Sequence, residues 1–170
     1  ATWQIGRENG VGASDYLARA IGYNLTHQLS HNTKKPDGWE QFSNYCNFLM
    51  EEYSRFLQRL QDTPEPTGNG TMLDNTVTLF GSASSAFHLS RNYPIVLTGG
   101  SNLGFKHGQY LKFGTDEDNS SSSGISSDTG WKSNLKDEER PLSDLYLTML
   151  QCLGVETDSF GGSETTVSEA

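Results

Sequence analysis

Residues 39–60 read WEQFSNYCNFLMEEYSRFLQRL, and apolar side chains recur in this segment every three or four positions. The recurring residues are Trp39, Phe42, Cys46, Leu49, Tyr53, Phe56 and Leu60. This spacing predicts one apolar stripe along a helix of about six turns. Pro64 and Pro66 follow and end the pattern. The helix is the strongest structural signal in the chain, and the remaining elements are placed relative to it.

Two short apolar runs after this helix predict β-strands. The run LDNTVTLF at 73–80 leads into the small residues GSASS at 81–85, and the run YPIVLT at 93–98 stops at Gly99. A β-branched run that ends in small residues is typical of a buried strand followed by a loop. Residues 106–113 predict a further short strand or hairpin arm. Ligands of open α/β sheets bind at the carboxyl ends of strands, so we expect a ligand near these loops.

A second amphipathic helix is predicted between Pro141, which suits a first helical turn, and Gly154, which suits a C-terminal cap. The order of elements predicts an α/β fold with a few strands flanked by two amphipathic helices. The length of 170 residues fits one domain, or the C-terminal part of a larger one. The acidic, Ser-rich segment 115–139 predicts an insertion or surface loop, and residues 161–170 predict a flexible tail.

The net charge of −9 is concentrated near the C-terminus. Residues 1–114 hold nine acidic and nine basic side chains, whereas residues 115–170 hold twelve acidic and three basic ones. This excess argues against nucleic acid as a partner, because phosphate binding needs clustered Lys and Arg. No segment approaches the roughly 20 apolar residues of a transmembrane helix. The apolar fraction of 34% is low and predicts a modest core, completed by another chain or a further segment.

Three histidines are candidate metal ligands. His27 and His31 are four residues apart, which on a helix places both imidazoles on one face, as metal sites often require. The alternative for this pair is a turn in which one imidazole hydrogen-bonds a backbone carbonyl. His88 lies between the Gly/Ser loop and the second strand, where either a ligand or the backbone could satisfy it. His107 fits a surface or structural role better.

The loop GSASS at 81–85 is a candidate anion or ligand loop, because backbone N–H groups after a strand can bind an anion. Ser82, Ser84 and Ser85 would supply hydroxyl groups to it. Arg91 would supply a positive charge, although pairing with an acidic residue is the commoner role. The loop lacks the Lys of a phosphate-binding loop and the Gly-x-Ser-x-Gly of a nucleophile elbow.

Several segments, taken in order, resemble one known family. They are HQLSH at 27–31, TMLDNTVTLFGS at 71–82, HLSRNYPIVLTGG at 88–100, GFKHGQ at 104–109, PLSDLYLTMLQ at 141–151 and LGVETDSFG at 153–161. Together they look like the C-terminal part of the bacterial exported family catalogued as domain of unknown function 1552, common in planctomycetes. The resemblance runs from about residue 5 to residue 160, and the acidic segment 115–139 is an insertion beyond the family pattern.

That family is similar, more distantly, to the alkaline phosphatase and sulfatase superfamily. The resemblance implies part of its layered α/β architecture, with Asp and His ligands for divalent metals that polarise an ester oxygen. By this analogy His27, His31 and His88 would hold one divalent metal, such as zinc, iron or manganese. Those hydrolases carry an Asp–His pair after the strand, where this chain has GSASS at 81–85. Neutral hydroxyls do not replace a carboxylate and an imidazole on such a cation.

Two functions follow from these observations. The favoured one is a non-catalytic, degenerate relative that serves as a binding or structural subunit of an exported bacterial assembly. Its partners would be other protein chains, and it would expose an apolar face when isolated. The alternative is a metal-dependent hydrolase of phosphate or sulfate esters, or the C-terminal piece of one. The composition, rich in Ser, Gly and Asn, and the resemblance both predict a location in the periplasm or at the cell surface.

Overall fold

The computed structural model describes residues 17–82, 94–113 and 140–168, together with Thr2 and Ala170. Within these residues the chain combines helices with a small antiparallel sheet, so the predicted mixed α/β class is confirmed. The helices are α1 (Thr26–His31), α2 (Gly38–Asp62) and α3 (Leu142–Cys152), and the strands are β1 (Val77–Gly81) and β2 (Ile95–Gly99). Short 3₁₀ helices span Leu17–Ile21, Asn32–Lys34 and Ser101–Leu103. The described part contains no helix that is both long enough and apolar enough to cross a bilayer.

The chain divides into two compact units, Ala1–Leu60 and Gln61–Ala170. Among the described residues of the first unit, Ala18, Leu29 and Tyr45 form a small buried core. Phe42 and Leu49 of α2 pack against this core and are partly buried. The residues of α2 that contribute to this core therefore lie in the first half of the helix.

Helix α2 confirms the long helix predicted from the spacing of its apolar residues. Only Gly38 and Tyr45 are buried among its 25 residues. The side chains of Trp39 and Phe56, which belong to the apolar stripe, are exposed to 70% and 48%, and that of Met50 beside the stripe to 41%. Much of the apolar stripe thus remains in contact with solvent.

In the second unit, β1 and β2 form an antiparallel ladder in which Val77 pairs with Gly99 and Gly81 with Ile95. The carboxyl end of β1 therefore lies at the opposite end of the ladder from the carboxyl end of β2. The loops after the two strands therefore do not share one edge of the sheet, because only parallel strands bring their carboxyl ends together. The ligand expected near these loops stays a prediction. Residues 106–113, all of them described, form no strand, so that prediction is also wrong.

Helix α3 has the predicted boundaries. Pro141 precedes its first turn, and Gly154 has a φ of 80°, a left-handed conformation that glycine adopts readily. The N–H group of Val155 donates to the Leu150 carbonyl at 3.0 Å and closes the helix end. The acidic segment 115–139 lies outside the described residues.

The C-terminal residues do not form the predicted flexible tail. Ser163 and Val167 are each only 5% exposed. The N–H group of Val167 donates to the hydroxyl of Thr148 on α3 at 2.8 Å. The hydroxyls of Ser143 and Ser163 also form a hydrogen bond. This segment is held against α3 because its buried polar groups form hydrogen bonds with residues of that helix.

Candidate functional site

The histidine pair lies on α1, in the first unit. Leu29 of the same helix is 2% exposed and turns toward the core, which leaves His27 and His31 on the opposite side. Their Nε2 atoms are 2.9 Å apart, and their ring centroids are separated by 4.6 Å. The prediction that this spacing places both imidazoles on one helix face is therefore confirmed.

Two neutral imidazoles at this distance share one hydrogen bond, in which one Nε2–H group donates to the lone pair of the other Nε2. A divalent metal would instead take both Nε2 lone pairs, each at about 2.0–2.1 Å for zinc. The pair can therefore supply two ligands of a metal site. Over residues 17–82, 94–113 and 140–168, no group of three or more His, Cys, Asp and Glu side chains could hold a metal. His88, the predicted third ligand, lies outside the described residues.

The predicted anion loop is described only at its start. Ser82 follows the last residue of β1 and is exposed. At Gly81 an added Cβ would lie 2.9 Å from the carbonyl oxygen of Pro94, so a small residue is needed where the two strands come together. Ser84, Ser85 and Arg91 lie outside the described residues, and their role as a ligand loop stays a prediction.

Within the described part of the second unit, one polar cluster was not predicted from the sequence. It joins the turn before β1 to the turn after β2 and centres on Asp74, so we call it the Asp74 turn. One carboxylate oxygen of Asp74 accepts hydrogen bonds from the N–H and hydroxyl groups of Thr71 at 2.7 and 2.8 Å. The other oxygen accepts from the hydroxyl of Ser101 at 2.8 Å. The N–H group of Asn102 donates to the Asp74 carbonyl at 2.9 Å.

These donors lower the pKa of the Asp74 carboxyl below its ordinary value, first through the backbone N–H of Thr71 and then through the hydroxyls of Ser101 and Thr71. Both carboxylate oxygens are engaged by donors of the same chain. The hydrogen bonds of this cluster therefore hold the two turns together. Its role is structural and not that of a general base.

Gly99, Gly100 and His107 complete the Asp74 turn. Gly99 and Gly100 have φ values of 77° and 73°, and the N–H group of Gly100 donates to the Leu73 carbonyl at 2.9 Å. The Nε2–H group of His107 donates to the Gly99 carbonyl at 2.7 Å, which agrees with the structural role predicted for this histidine. A sequence signal existed, because TMLDNT at 71–76 and TGGSN at 98–102 combine turn-forming Asp, Asn and Gly residues.

Asp144 is a second residue whose environment was not predicted from the sequence. It lies in the first turn of α3, where a negative charge interacts favourably with the helix dipole, and it is 2% exposed. Its Oδ2 atom is 3.8 Å from Nε of Arg140. Its Oδ1 atom is buried and has no hydrogen-bond partner among the described residues. Asp144 therefore places a buried carboxylate in the first turn of α3, and among the described residues it belongs to no group of three or more side chains that could hold a metal.

An open depression of about 530 Å³ lies where α3 ends. It is lined by Gln151, Gly154, Val155, Glu156, Thr157 and Asp158. The side-chain amide of Gln151 donates to the Thr157 carbonyl at 2.9 Å and holds one wall. The lining contains the carboxylates of Glu156 and Asp158 but no histidine, cysteine or basic side chain.

Comparisons with known proteins do not assign this chain to a family. No protein-family model matches it, and the searches of curated proteins and of solved structures gave no match. The resemblance described above therefore rests on the sequence segments alone.

Proposed function

We propose that this chain is a non-catalytic subunit that binds other protein chains in an exported bacterial assembly at the periplasm or cell surface. The observation that carries the proposal is the exposure of large apolar side chains on a regular helix. Trp39, Met50 and Phe56 all lie on α2 and are exposed to 70%, 41% and 48%. Exposed apolar surface on an ordered element favours a protein–protein contact, because its burial in a complex removes it from water.

The polar sites support the same proposal. The Asp74 turn engages both oxygens of its carboxylate with donors of its own chain, so it stabilises structure. The segment GSASS at 81–85 offers neutral hydroxyls where the related hydrolases carry an Asp–His pair. Hydroxyl groups are poor replacements for the charged and imidazole ligands of a catalytic divalent metal.

A metal-dependent hydrolase of phosphate or sulfate esters is the second candidate, and one observation favours it. The Nε2 atoms of His27 and His31 are 2.9 Å apart on one face of α1, so two metal ligands are already together. With His88 as a third ligand they would hold zinc, iron or manganese, which would polarise an ester oxygen.

Elemental analysis of the protein purified from its source organism separates the two candidates. The subunit proposal expects a metal-free chain in a stable stoichiometric complex with other proteins. One equivalent of zinc, iron or manganese that is lost in His27→Ala and in His88→Ala would overturn it. His107→Ala is the matched control, because His107 donates to the Gly99 carbonyl and should leave any bound metal in place.

Hydrolysis assays complete this test. The purified chain, supplied with each of the three metals, would be incubated with p-nitrophenyl phosphate and p-nitrophenyl sulfate. Turnover that disappears in His31→Ala but persists in His107→Ala would establish the hydrolase and exclude the non-catalytic subunit.

A further inference from the structure

Asn69 and Gly70 form an exposed Asn–Gly pair in the loop between α2 and β1. The side-chain amide of an asparagine can be attacked by the backbone nitrogen of the next residue, and glycine, which has no side chain, obstructs this attack least. Among the described residues, neither the side chain of Asn69 nor the N–H group of Gly70 forms a hydrogen bond. Both reacting groups are therefore open to each other and to water.

The peptide carbonyl between these two residues is held by two side-chain amides. Nδ2 of Asn102 donates to the Asn69 carbonyl oxygen at 2.9 Å, and Nδ2 of Asn75 donates to it at 3.1 Å. Asn102 also donates to Oδ1 of Asn75 at 3.3 Å, which orients the two amides relative to each other. When Gly70 loses its N–H proton, amide resonance shares the negative charge between the nitrogen and this oxygen. The two donors therefore stabilise the anion, as the donors of an oxyanion hole do.

We propose that Asn69 is a self-modification site, attacked by the nitrogen of Gly70, and that the two donor amides accelerate the attack. Solvent base removes the Gly70 N–H proton, and the nitrogen anion attacks Cγ of Asn69. The new C–N bond closes a succinimide ring, while the Cγ–Nδ2 bond breaks and ammonia leaves with a proton from water. A water molecule then opens the ring at either carbonyl, which yields aspartate or isoaspartate.

The isoaspartate product would disturb the Asp74 turn. Its backbone runs through Cβ and Cγ of residue 69, so the chain gains one atom just before Gly70. The Gly70 carbonyl accepts from the N–H group of Glu65 at 3.1 Å, and the next residue, Thr71, donates to Asp74 through its N–H and hydroxyl groups. A longer backbone displaces these contacts. The modification goes beyond the proposed function and does not depend on it.

Peptide mapping of the purified full-length chain by mass spectrometry tests the site. Conversion at Asn69 would be followed at neutral pH in the folded chain and in the chain unfolded in urea. We expect faster conversion in the folded chain, because only there do the two amides meet the Asn69 carbonyl. In Asn69→Gln conversion should be absent, since the longer side chain closes its ring far less readily. A folded chain that is converted no faster than the unfolded one would overturn the proposal.

Variants of the donor amides test the acceleration. Asn102→Ala and Asn75→Ala should each slow conversion about tenfold, since each removes one hydrogen bond to a developing charge. Ser101→Ala is the matched control, because it removes a hydrogen bond to Asp74 and leaves both donors in place. Circular dichroism establishes first that each variant is folded. Faster conversion in Asn102→Ala would mean that the amides only restrain the loop, which would overturn the acceleration.

A second Asn–Gly pair of the same chain gives an internal reference. Asn9 and Gly10 lie outside the described residues and belong to the other unit. Conversion at Asn9 should be the same in wild type, Asn102→Ala and Asn75→Ala, so the ratio of the two sites corrects for differences between samples. A parallel fall at both sites would contradict a local effect of the amides. None of these outcomes bears on the proposed function, which the metal content and the native complex decide.

Discussion

Helices α2 and α3 are both amphipathic, yet the chain covers them to different extents. Three of the 11 residues of α3 are buried, and its polar groups bond to residues 161–168. Two of the 25 residues of α2 are buried, although α2 is more than twice as long. The difference teaches that length and apolar pattern do not determine how much of a helix its own chain buries. Burial depends on whether another segment returns to the helix, and such a segment returns to α3.

The largest expected effect tests this contrast with one truncation on each helix. Leu147 of α3 is 1% exposed, so Leu147→Ala should lower the free energy of unfolding by about 2–5 kcal/mol through lost burial and a cavity. Phe56→Ala on α2 should lower it by less than about 1 kcal/mol, because Phe56 is 48% exposed. Urea unfolding of the purified chain measures both losses. Equal losses would contradict the contrast between the helices.

A smaller effect is expected where the C-terminal segment meets α3. Thr148→Val removes the hydroxyl that accepts from the N–H group of Val167 at 2.8 Å and leaves that buried donor unpaired. We expect a loss of about 1–3 kcal/mol and faster hydrogen exchange of the Val167 amide. Thr148→Ser keeps the hydroxyl and is the control. Unchanged exchange in Thr148→Val would mean that residues 161–168 do not depend on this hydrogen bond.

The smallest effect concerns pH and compares Asp74 with an exposed acid of α2. Hydrogen bonds lower the pKa of folded Asp74, so its contribution to stability is present above the ordinary pKa of about 3.9. As the pH falls through the lowered folded pKa, this contribution is lost. The stability difference between wild type and Asp74→Asn should therefore shrink on acidification. Glu51→Gln should show little effect, since its ion pair with Arg55 is exposed.

Two measurements check this prediction. Carboxyl NMR should place the pKa of Asp74 below its ordinary value, and Ser101→Ala should move it back toward that value, because the Ser101 hydroxyl donates to the carboxylate. An Asp74 carboxyl that titrates normally in the wild type would show that the Asp74 turn does not form in solution.

The sequence predicted the helices better than the sheet. Periodic apolar residues located α2 and α3, and Pro141 and Gly154 marked the ends of α3, because these signals act within a few residues of one another. The apolar runs located the strands to within a few residues, but they did not reveal that the strands pair in antiparallel orientation. Pairing depends on contacts between segments that are distant along the chain, and both orientations can use the same short apolar runs.

The candidate sites show the same division between local and distant contacts. The convergence of His27 and His31 was predictable, since four residues correspond to about one helical turn. The Asp74 turn was not predictable by spacing, because Asp74 and Ser101 are 27 positions apart in sequence and meet only when β1 and β2 pair. Residues 161–170 were predicted to form a flexible tail, although Ser163 and Val167 are buried.

By itself, the sequence determined the mixed α/β class, the two amphipathic helices, the shared face of the histidine pair and the apolar stripe of α2 at intervals of three and four residues. All of these follow from interactions within one or two helical turns or one strand. Only the tertiary structure decided which apolar faces were covered and how the strands were oriented. It also decided which groups surround the carboxylates of Asp74 and Asp144. These features require distant segments to meet, and the free energy of such contacts depends on the whole packed chain.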